Sequence, residues 1–127
     1  MKALTAIILV HLALSFVHGG AHAGANVALG PAGTVFVYIV ILAGPIAGLL
    51  VALRQPQLGA WIVALTMSGS LAFGVINHFI VRGTDHVSHV AAAWHTQFAV
   101  TAALLAVVEA AGAAIGLREA IRVRRAA

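Results

Sequence analysis

Four long apolar runs, separated by short polar or Gly/Pro-bearing connections, set the pattern of this chain. The first extends from Ala3 to about Ala23, the second from Thr34 to Leu53, the third from Leu58 to Val81 and the fourth from about Val87 to Leu117. Each reaches the roughly 20 residues an α-helix needs to cross a bilayer. The connections are Asn26 to Gly33 with its Gly30-Pro31 turn, Arg54-Gln-Pro-Gln, and Arg82-Gly-Thr-Asp. Connections this short predict antiparallel neighbours. The chain therefore reads as all-α: one integral membrane domain over residues 1–127, an up-down-up-down four-helix bundle with a basic tail at 118–127. Pro45 should kink the second span. Gly44 and Gly48, and Gly112 and Gly116, have the small-xxx-small spacing that brings membrane helices close together.

Composition strengthens this reading. Hydrophobic residues make up 62% of the chain and charged residues 8%, against roughly 25% charged in a soluble domain. Lipid must solvate most of such a surface. No cysteine is present, which excludes disulfides, thiolate metal ligands and thiol catalysis.

Charge adds an orientation. Lys2, Arg54, Arg118, Arg122, Arg124 and Arg125 fall on one side of a four-span arrangement and only Arg82 on the other. This asymmetry predicts cytoplasmic termini, in a multi-pass protein of a bacterial-type inner membrane. The basic residues are not interleaved with aromatics on a polar face, so no nucleic acid is expected as partner. The expected partners are the lipid bilayer and either further copies of the chain or a larger membrane complex. The basic start, apolar core and Ala21-His22-Ala23 also fit a cleaved secretory signal. A histidine at position 11 is unusual in a signal core and favours a first span.

Chemistry concentrates between Asn77 and His95. This stretch holds four of the seven histidines, the only aspartate and one of two tryptophans. The four-span arrangement brings His18, His22, His78, His86, His89 and His95 to one end of the bundle. Helical phase sharpens the grouping. His11 to His18 is about 20° short of two turns and His18 to His22 about 40° past one, so all three share a face of the first helix. Glu109 shares a direction with His95 to within about 40°. Asp85 and His89 share a face if the fourth helix begins by Asp85.

Neutral imidazole is the commonest protein ligand for zinc, copper and iron. Two histidines four apart on a helix aim at one point, and a second helix must supply the rest. The candidate metal ligands are His18, His22, His78, His89 and His95, with Asp85 and His86 as weaker candidates. Asp85 serves either as a ligand or as an acceptor that fixes a tautomer. The alternative is a single haem b for electron transfer. His18 or His22 would face His95 across it, and Gly19, Gly20 and Gly74 would leave room for the porphyrin. At the level of architecture alone the chain resembles small four-helix membrane cytochromes. Another reading is an accessory subunit of a larger complex, its histidines turned to a partner. The chain lacks a nucleophile elbow and a phosphate loop, so hydrolytic chemistry ranks low, and an enzymatic role would be that of a metal-dependent oxidoreductase. Deeper in the bundle, His11 and Glu109 lie at matching depths and on matching faces, and are expected to meet.

Overall fold

The computed structural model is all-helical among the described residues, which cover the backbone of residues 1–126 and the side chains of residues 1–122. Helix α1 spans Lys2–Gly24, α2 Pro31–Ala52, α3 Pro56–Ile80 and α4 Ala92–Ala126. All four are long and apolar enough to cross a membrane. Proline occupies the first turn of α2 and of α3, where its missing N–H costs no helical bond. The basic tail continues α4 without a break through Ala126. The side chains of Arg124 and Arg125, and Ala127, lie outside the described residues.

The helices are not uniform. Residues Val37–Ala43 of α2 wind as a π-helix immediately before Gly44-Pro45. Pro45 lacks an N–H and its ring collides with the carbonyl four residues back, so the turn ahead of it widens. A second π segment, Ile76–Ile80, ends α3 and contains His78.

Close crossings depend on glycine. A Cβ on Gly48 would lie 2.7 Å from Val63, and one on Gly59 would strike the backbone of Gly48 and Ala52. A Cβ on Gly116 would lie 2.8 Å from the Ala64 nitrogen. These contacts press α2 and α4 onto neighbouring faces of α3, one through Gly59 and Val63 and the other through Ala60 and Ala64. Helix α1 packs mainly on α4 and touches α2 chiefly over Gly44–Ala52. Beside the first half of α2, therefore, the bundle is open.

The core is layered along its axis. Leu4, Ile8, Val63 and Met67 form an apolar cluster at the end holding the chain termini; there the terminal amine lies 3.9 Å from Glu119. Next comes His11 with Glu109, then the histidine layer. Ala21, Val90 and Phe98 close the far end.

The fourth helix departs from its predicted start. It begins at Ala92, not near Val87. His86 (ψ 136°) and Val90 (ψ 135°) are extended, and only Val87–His89 forms a single 3₁₀ turn between them. His86 caps that turn by accepting the Ser88 N–H at 3.2 Å, a local bond that competes with helix. The expected helical face shared by Asp85 and His89 does not exist.

Candidate metal centre

Three histidines converge. The buried face of α1 carries Leu4, Ile8, His11, His18 and Ala21 at helical spacing, and His22 stands one turn beyond His18. His18 Nε2 lies 3.2 Å from His22 Nε2 and 3.2 Å from His78 Nε2. One ligand atom from each of the three lies within 4.8 Å of the others. The π-helical end of α3 sets the direction of His78, as such turns often do at functional sites.

The outer nitrogen of each ring has its own acceptor. His18 Nδ1 is 2.8 Å from the Thr101 hydroxyl oxygen, and that hydroxyl donates its proton to the Gln97 carbonyl at 2.7 Å. The Thr101 oxygen must then accept from His18 Nδ1–H. His78 Nδ1–H donates to the Asp85 carbonyl at 3.0 Å, and His22 Nδ1–H to the Val27 carbonyl at 3.3 Å. A neutral imidazole carries one proton, so these bonds leave Nε2 of all three rings as bare lone pairs. Three lone pairs at this separation repel one another unless a cation stands among them.

Asp85 brings a carboxylate to the edge of this group, beside His22 and the outer nitrogen of His78. It is buried, and neither carboxylate oxygen has a hydrogen-bond partner among the described residues. Its Oδ1 lies 3.4 Å from His22 Nε2 and 3.4 Å from His78 Nδ1. A buried carboxylate left without a donor costs several kcal/mol, roughly, and calls for positive charge nearby.

Phe98, fully buried on α4, holds the three rings together. Its centroid lies 4.8 Å from those of His18 and His22 and 5.1 Å from that of His78. Phe98 escaped the sequence reading. Its clue was a helical series on α4, in which Phe98, Thr101, Leu105 and Glu109 are all buried.

The remaining predicted ligands fall outside this group. His95 stands exposed on the first turns of α4. His89 is exposed and donates from Nδ1 to the Gly83 carbonyl at 2.6 Å. His86 caps its loop turn and lies against His89, with ring centroids 5.7 Å apart. The pairing of His18 or His22 with His95 across a haem is thus replaced by a pairing with His78 of α3. The loop after Val81 brings Asp85 back to His78 of α3, and His95, in the first turn of α4, stays exposed one turn before the buried Phe98.

Two further features border the site. His11 Nε2 lies 3.3 Å from Glu109 Oε1, both side chains being buried, and Ser15 donates to the His11 carbonyl at 2.8 Å. Between this pair and the histidine group runs a cavity of about 510 Å³. Gly19, Gly20 and Gly74 line it, together with His18, His22, His78 and Asp85.

Compared with known proteins, the chain matches no family model, and no curated protein or solved structure matches it.

Proposed function

We propose that this chain is a membrane protein that binds one divalent transition metal through Nε2 of His18, His22 and His78, with Asp85 as the fourth ligand. The observation that carries the reading is the set of outer hydrogen bonds, which turns three Nε2 lone pairs toward one point. Distances support a bare ion. Two imidazole nitrogens bound at about 2.0–2.1 Å lie roughly 3.3 Å apart at a tetrahedral angle and roughly 4.1 Å apart when trans. The spacing of 3.2 Å fits the first arrangement. A haem requires its two axial histidines trans. Its propionates would also meet a cavity lined by Asp85 and Glu109 and by neither Lys nor Arg. Three imidazoles and a carboxylate suit zinc, copper or iron.

The distribution of basic residues supports termini in the cytoplasm and a metal group at the opposite membrane face. A reporter active only in the cytoplasm and fused after Ala127 tests this; an inactive fusion, with a periplasmic reporter active, refutes it.

Elemental analysis of the purified protein, with an absorption spectrum, tests the function. The expected result is about one metal per chain without a Soret band, lost in His18→Ala and His78→Ala and kept in His95→Ala. Metal kept in both His18→Ala and His78→Ala would place the ligands elsewhere.

A further inference from the structure

The cavity beside the histidine group has a side door. Helix α1 scarcely touches α2 before Gly44. The gap there is framed by Phe16, Gly19 and Gly20 on one side and Thr34 and Tyr38 on the other, all five exposed and all lining the cavity. A Cβ added to Gly19 or Gly20 would meet nothing within 4 Å. If these helices span a bilayer, this opening faces hydrocarbon, and whatever enters it comes out of the lipid.

The cavity has a polar floor. Glu109 Oε1 is held by His11, whereas Oε2 faces Gly74 and the cavity, 3.8 Å from where a Cβ on Gly74 would stand. The same Cβ position lies 3.9 Å from the His78 ring. The Glu109 carboxylate and the histidine group therefore address one compartment across a single missing side chain. The walls between floor and mouth are apolar and partly aromatic. Phe73, stacked on Phe36 at 4.7 Å between centroids, presents a ring to it.

These properties select the occupant. A volume near 510 Å³ is that of a small-molecule site of roughly 300–1,000 Å³. A carboxylate oxygen at the floor accepts a hydrogen bond and needs an O–H donor. Asp85 and Glu109 both border the cavity, and repel anionic lipid headgroups. Aromatic walls favour a flat ring over an alkyl chain. We propose that the cavity between α1 and α2 is a laterally entered binding site for a membrane-dissolved phenol or quinol, whose hydroxyl donates to Glu109 across Gly74 and whose apolar tail leaves through the mouth. This goes beyond the metal reading, because neither the mouth nor Glu109 is a ligand to the ion.

Decyl-hydroquinone is a suitable probe, with the full chain reconstituted in phosphatidylcholine nanodiscs and bound probe and zinc counted on the same samples. The wild-type protein should retain about one probe per chain. Glu109→Gln keeps an acceptor oxygen but removes the charge that strengthens the bond, and should weaken retention about tenfold. Gly20→Trp places a ring in the open mouth from a position whose Cβ meets nothing within 4 Å, and should weaken retention at least as much, with zinc content unchanged. 1-Decanol, which has the hydroxyl and tail but no ring, should compete poorly. Retention no greater than partition into protein-free nanodiscs, or unchanged in both variants, would overturn the proposal. Probe lost with zinc kept counts against the cavity alone. Probe kept without zinc leaves the cavity standing and defeats the metal reading.

Discussion

Nδ1 of His18 donates to the Thr101 hydroxyl at 2.8 Å, and this bond decides what the other nitrogen of the ring can do. Thr101 has already given its own proton to the Gln97 carbonyl. It can only accept, so His18 must present Nε2 as a lone pair to His22 and His78. A residue of α4 thereby sets which nitrogen of a histidine on α1 is open to a metal.

Thr101→Val tests that coupling. It keeps the shape, removes the acceptor and leaves His18 free to change tautomer. Metal affinity should fall roughly 10- to 100-fold, with stoichiometry and helix content unchanged. Competition titration against a chromophoric chelator measures it, and wild-type affinity in the variant would detach Thr101 from the site.

Acid should release the metal. Protons compete with the ion for Nε2, so the apparent metal affinity should fall as the pH is lowered. Metal retained per chain after dialysis over a series of pH values gives the curve. An apparent affinity that did not fall at any acid pH would count against ligation by imidazole.

The His11–Glu109 contact at 3.3 Å should be a coupled pair. Removing one partner strands a buried polar group, whereas removing both does not. A cycle of His11→Leu, Glu109→Leu and the double variant should give a coupling of about 1–2 kcal/mol, measured by unfolding in mixed micelles. Additive effects would show the contact to be energetically idle.

The four long helices were legible because their apolar runs are long and their connections short. The α1 histidines were legible because seven-residue and four-residue steps nearly close whole turns, and the buried face of α1 follows that phase. The same phase argument brought His11 and Glu109 together. It failed at α4. In lipid a helix is apolar all round, so Val87 to Ala93 gives no periodicity by which to find its first turn. The extended backbone at His86 and Val90 delays the helix to Ala92, so His95 lies in its exposed first turn. The widened turn around His78 has no sequence signature either. Phe98 was hidden because a phenylalanine in an apolar helix is ordinary until its neighbours are known.

X-ray absorption at the zinc edge on the zinc-loaded protein tests the central claim most directly, since it reads the ligands without a variant. The account predicts one zinc per chain with three imidazole nitrogens at about 2.0–2.1 Å and one oxygen at about 2.0–2.2 Å. A zinc shell made of oxygen alone, or a chain that holds no zinc above background, would contradict it.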